Sequence, residues 1–94
     1  MALNFEWDEK KARENLKNHQ VSFHEAISIF SDPAAVTISD PDHSESEHRF
    51  IAIGTSAKSR ALIVVYTERR GNARIISCRK ATRRERRTYE EGNG

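Results

Sequence analysis

Val21-Ser22-Phe23-His24-Glu25-Ala26-Ile27-Ser28-Ile29-Phe30-Ser31-Asp32-Pro33-Ala34-Ala35-Val36-Thr37-Ile38-Ser39 changes its hydrophobic period part-way along. Phe23, Ala26, Ile27 and Phe30 recur at i, i+3, i+4 and i+7, which makes one buried face of a helix. Ser22-Phe23-His24-Glu25 has the form of a capping box, in which hydroxyl and carboxylate each satisfy the other's orphan amide. Val21 and Ala26 hold the staple positions around it. Asp32-Pro33 ends the helix, because the residue before a proline is pushed out of the helical region. Beyond it, Ala35 to Ser39 is a short β-branched run that suits a strand.

Toward the N-terminus, Leu3-Asn4-Phe5-Glu6-Trp7 alternates apolar and polar residues, as a short strand with one buried face does. Asp8 then caps a helix whose dipole suits Glu9 at its start and Lys17 near its end. Its buried stripe is thin, Ala12 and Leu16 with Trp7 as an extension, and Asn18 to Gln20 closes it. Toward the C-terminus, a polar loop (Asp40 to Glu47) precedes three strands: His48 to Thr55, Ala61 to Arg69, and Arg74 to Arg79. Ser56 to Ser59 joins the first two, and Arg70-Gly71-Asn72-Ala73 turns the last two into a hairpin. Thr82-Arg83-Arg84-Glu85 is a second capping box and opens a terminal helix to about Glu91, with Gly92 to Gly94 as a frayed tail. The order predicts a single α+β domain over residues 1–94, two helices covering one face of a sheet whose successive strands are neighbours.

Charge is distributed unevenly. The net charge of +2 hides residues 1–57, with 5 Lys/Arg against 10 Asp/Glu, and residues 58–94, with 11 against 4. Six of the nine residues from Arg79 to Arg87 are cationic. Such polarity points to a polyanion or an acidic protein partner. One cysteine, Cys78, excludes an internal disulfide framework and a Cys-rich zinc site. With 36% hydrophobic residues, no apolar run of membrane-spanning length and no signal-peptide pattern at Met1 to Glu6, the chain is expected to be soluble and cytoplasmic.

Four blocks then carry a resemblance: Phe5 to Ala12, Val21 to Ala26, Asp40 to Ser44, and Arg74 to Arg87. In this order and spacing they resemble the BrnT family of bacterial toxins over about residues 4–91. The resemblance implies a RelE-like ribonuclease fold and a BrnA-like antitoxin, in a hetero-oligomer where the toxin is dimerised through the antitoxin. It also implies an RNA substrate, contact with DNA only indirectly through the antitoxin, and no membrane. The chain departs from the family's pattern at Gln20, where glycine is frequent, and at Cys78, where alanine is usual. A glycine at position 20 would take a left-handed helix cap without steric cost, so this helix end is expected to be built differently or strained.

Metal-independent RNA cleavage needs a base for the 2′-hydroxyl, an acid for the leaving 5′-oxygen and fixed cations for the phosphorane. Arginine suits the last role because its planar fork matches two phosphate oxygens. The catalytic candidates are Arg79, Arg49, Glu68, Tyr66 and His48, and the RNA-binding candidates are Lys80, Arg83, Arg84, Arg86, Arg87 and Arg69. Each has an alternative. Arg79 as a solvated strand end or antitoxin contact, Glu68 in a surface ion pair and Tyr66 as a half-buried strand residue are all compatible with the pattern. With Arg69 and Arg74 flanking the turn, Glu68 and Arg79 lie too far apart in register to pair. His19 and His24 fall at helix ends and read as solvated; His43 and His48 flank the acidic loop. The spacing of Asp40, Asp42, His43, Glu45, Glu47 and His48 fits no defined ligand pattern, so neither a metal nor another cofactor is expected.

Arg83, Arg84, Arg86 and Arg87 crowd cations into the first turns of their helix, against its dipole, while Glu90 and Glu91 sit at the wrong end. The pairs Arg86–Glu90 and Arg87–Glu91 also run in the less favourable direction. Local stability does not explain that order, and an external anion does. The expected function is an endoribonuclease toxin held inactive by an antitoxin, with a non-catalytic nucleic-acid or antitoxin-binding module as the alternative.

Overall fold

The structure is a computed structural model that describes residues 4–40 and 48–91. Its elements are β1 (Asn4–Glu6), α1 (Glu9–His19), α2 (Phe23–Ser28) running into a 3-10 turn (Ile29–Ser31), β2 (Val36–Ser39), β3 (Arg49–Thr55), β4 (Ala61–Arg69), β5 (Asn72–Lys80) and α3 (Arg83–Glu91). Most of the loop expected at Asp40 to Glu47, including His43, and the tail expected at Gly92 to Gly94 lie outside the described residues. Among the described residues no helix is long and apolar enough to cross a membrane.

The sheet has the order β1-β5-β4-β3-β2. The antiparallel meander of the last four strands follows the expectation, but β1 does not. It pairs in parallel with β5, Phe5 opposite Ala73, at the far edge from β2. The two intervening helices carry the chain across the sheet, so the first two strands are not neighbours.

Those helices cover one face. Val21, Phe23, Ala26 and Ile29 meet Ala52, Leu62, Val64, Tyr66, Ala73, Ile75 and Cys78 in one buried cluster. Phe5, Trp7, Phe30 and Phe50 pack around it, with Trp7 edge-on to Phe23. Ile29 is buried although it lies off the expected helical stripe, because the chain tightens into the 3-10 turn there. Beneath that turn, β3 needs a glycine: a Cβ on Gly54 would come within 3.0 Å of Ile29 Cβ.

Two local expectations need correction, and a third takes one of its two expected forms. Leu16 is 51% exposed, and Asn15 takes the buried place on α1. Asn15 Nδ2 donates to the carbonyls of Val21 (3.0 Å) and Cys78 (2.9 Å), and its Oδ1 accepts from Cys78 N–H (3.2 Å), so a polar side chain is fully bonded there. The first capping box is half formed. Ser22 Oγ accepts from Glu25 N–H (3.0 Å), but the Glu25 carboxylate turns inward to Arg60 and Ser56 Oγ (2.7 Å). That pairing holds the Glu25 carboxyl below its ordinary pKa, mainly through Arg60. Finally, Gln20 takes the left-handed cap itself, at φ 58° and ψ 31°, with its N–H donating to Leu16 carbonyl (2.9 Å).

Candidate nucleic-acid interface

Side chains alternate between the two faces of a strand, so the residues between the buried ones face away from α1 and α2. On β2, β3 and β4 these include Val36, Ile38, Ile51, Ile53, Ile63 and Val65, an aliphatic floor. Arg49 and Thr67 extend the same parity toward the end of the sheet that carries the β4–β5 turn. On β5 the alternation breaks once. Tyr66 is opposite Ile75 and Val65 is opposite Ser77, which leaves Ile76 as the extra residue of a bulge. Ala73 and Ile75 point to the helices before it, Cys78 after it. The bulge therefore turns Arg79 to the open face, where unbroken alternation would have sent it under the helices.

The helix α3 crosses the other end of this face. Thr82 and Glu85 form the second capping box in full: Glu85 N–H donates to Thr82 Oγ1 (3.1 Å) and Thr82 N–H to Glu85 Oε1 (2.8 Å). The same carboxylate receives the end of the Arg79 fork, Nη1 to Oε1 (2.7 Å) and Nη2 to Oε2 (2.8 Å). Arg79 and the cap pull the Glu85 carboxyl down to about 2, and Arg79 is raised in turn. Glu85 is thus an anchor and too weak a base to take a proton near neutral pH. It aims Arg79 while leaving the side edge of the guanidinium, Nε–H and the second Nη2 hydrogen, without a partner among the described residues. At its far end α3 is tied by Tyr89, whose Oη donates to Asp32 Oδ2 (2.6 Å) and lies 3.3 Å from Thr55 Oγ1. Bonds from Thr55 N–H and Tyr89 keep the Asp32 carboxyl below its ordinary pKa.

The expected site residues divide by face. Arg49 and Arg79 share the open face, Arg49 at the end away from α3 and Arg79 beside it. Arg69 has the same parity as Thr67, at the turn end of β4. Arg83, Arg84, Arg86 and Arg87 are all exposed on α3, and Lys80 is exposed at the end of β5. Glu68, Tyr66 and His48 are not brought to Arg79. Tyr66 is 6% exposed beneath Phe30 and Phe50, and that burial raises its phenol pKa. His48 stacks on Phe50, 6.3 Å between ring centres, on the helix-covered side. Glu68 follows Tyr66's parity and pairs in register with Ala73, five residues along β4 from Ile63, the partner of Arg79. Among the described residues no group of three or more His, Cys, Asp or Glu is placed to hold a metal ion. The buried Cys78 thiol, raised to about 11 by desolvation, is no nucleophile.

Sequence reading missed Glu85 as the partner of Arg79, and Asp32, Thr55 and Tyr89 as the clasp of α3. The capping box gave Glu85 a local role, and nothing in a spacing of six residues signals a second one. The clasp joins residues 57 positions apart and leaves no local signal at all.

A family model described as the ribonuclease toxin BrnT of type II toxin–antitoxin systems matches residues 7–85. The chain is also similar in fold to the crystal structure of the Brucella abortus ribonuclease toxin BrnT, with a TM-score of 0.64 and 21% identity over 87% of this chain and 100% of that one. No curated protein is similar enough to count as a match.

Proposed function

Because the chain belongs to the BrnT family of ribonuclease toxins of type II toxin–antitoxin systems, we propose that it cleaves RNA without a metal ion. On this reading it works in the cytoplasm, inhibits translation and growth, and is neutralised by a BrnA-like antitoxin that also dimerises it. The observation that carries the reading is Arg79. Glu85 holds its guanidinium by one edge and leaves a second, phosphate-matching edge over the open face. A fixed cation of this kind stabilises charge that develops on the phosphorane as the 2′-hydroxyl attacks. Arg49 contributes a second cation on the same face, and the exposed arginines of α3 extend the positive surface at its end.

One observation favours the alternative of a non-catalytic binding module. The three described histidines all lie away from the open face: His19 and His24 on the helices, His48 against Phe50. One experiment separates the two readings. Purified single-stranded RNA is incubated with the protein in excess EDTA. Cleavage that persists, and stops when the antitoxin is added, supports the nuclease. RNA that is bound but never cut, or cut only with added magnesium, rejects it.

A further inference from the structure

We propose a second phosphate subsite on the open face, formed by Thr67 between Arg49 and Arg74, distinct from the position held by Arg79. The proposal rests on the RNA-binding reading above and names which atoms take a neighbouring part of the strand.

Thr67 is 1% exposed, and its Oγ1 is buried without a hydrogen-bond partner. A buried hydroxyl left unbonded destabilises the protein, and valine would fill the same volume with no such defect. Its register partner on β3 is Arg49, whose Nε is also buried and unpartnered. Its register partner on β5 is Arg74, whose parity is opposite to the buried Ala73 and Ile75. Arg74 has only a loose link to Glu6, 3.9 Å from Nη1 to Oε1 with both side chains partly exposed. Three adjacent strands thus present a hydroxyl flanked by two guanidinium groups, the latter about 10 Å apart across the sheet. Such a row offers O–H and N–H donors with little to accept them. Its complement is an anion with several acceptor oxygens, which in a single strand of RNA is a backbone phosphate.

This position is too far from Arg79 for one phosphate to reach both. Ile63 is opposite Arg79 and lies four residues from Thr67 on β4, about 13 Å at strand spacing. Ile51, Ile53 and Val65 floor the interval. The strand would then be gripped at two phosphates, with the nucleotide portion between them over an aliphatic surface.

The test measures binding of a 2′-O-methylated single-stranded RNA, which keeps the phosphates and removes the attacking hydroxyl. Thr67→Val should bind it five- to tenfold more weakly while melting at the same temperature as the parent or higher. Thr67→Ser, which keeps the hydroxyl, should restore most of the affinity. Arg74→Gln should weaken binding about tenfold and lower the log–log salt slope by about 0.7, the loss of one phosphate contact. If the parent binds and cleaves RNA but both Thr67→Val and Arg74→Gln bind like the parent, the subsite is overturned and the nuclease reading stands. If the parent binds no RNA, both fall together.

Discussion

The two faces of the sheet are made from alternate residues of the same strands, and they are built to different rules. On the helix-covered face the buried polar side chains Asn15 and Glu25 are bonded, Asn15 to Val21 and Cys78 and Glu25 to Arg60 and Ser56. On the open face Thr67 Oγ1 and Arg49 Nε are buried and unbonded, and one edge of Arg79 has no partner among the described residues. The first face spends its residues on packing, and its polar groups are satisfied within the chain. The second leaves donors over, which is how a surface behaves when its acceptors arrive with a ligand.

The largest difference should appear in stability. Phe23→Ala removes a ring that is 1% exposed at the centre of the covered face, and should cost about 3–5 kcal/mol. Ile38→Ala on the open face, where the side chain is 54% exposed, should change stability by no more than about 0.5 kcal/mol. Urea unfolding of both variants checks the contrast, and equal losses would show that the open face is itself part of the core.

The next effect is on catalysis and inverts the ranking. Arg79→Ala should lower single-turnover RNA cleavage about 10²–10³-fold, the scale for losing one transition-state donor group. Because Arg79 also anchors α3 through Glu85, Glu85→Gln serves as the control. It removes the charge that holds Arg79 while keeping the arginine, and should lower cleavage by less than Arg79→Ala does, because the cation remains and only its aim is loosened. Cleavage at the parental rate in Arg79→Ala would make Arg79 a strut for α3 and nothing more.

The smallest effect tests the covered side again. Gln20→Gly places a residue without a Cβ at the left-handed cap of α1 and keeps the backbone carbonyl that Arg60 Nη2 reaches at 3.2 Å. Stability should rise by about 0.5–1 kcal/mol, with RNA cleavage unchanged. A loss in the same urea measurement would mean that the glutamine side chain contributes more than its backbone strain costs.

The sequence alone determined the elements and their kinds. Periods of 3.6 and 2, a proline after Asp32, a turn at Gly71 and the full capping box at Thr82 and Glu85 are local, and local interactions are encoded by neighbours in the chain. The charge polarity that points to an anionic partner is likewise written in composition. Tertiary structure alone decided which residues meet. It set β1 beside β5, turned Glu25 from its capping box to Arg60, and chose Asn15 over Leu16 for burial, because partners distant in sequence were available there. It also decided the candidate site. Arg49, Glu68, Tyr66, His48 and Arg79 all lie on or beside strands, but a side chain's face depends on register, and one bulge residue reverses it. Ile76 is that residue: it puts Arg79 on the open face with Arg49, while Tyr66 and His48 stay with the aromatic rings on the other side.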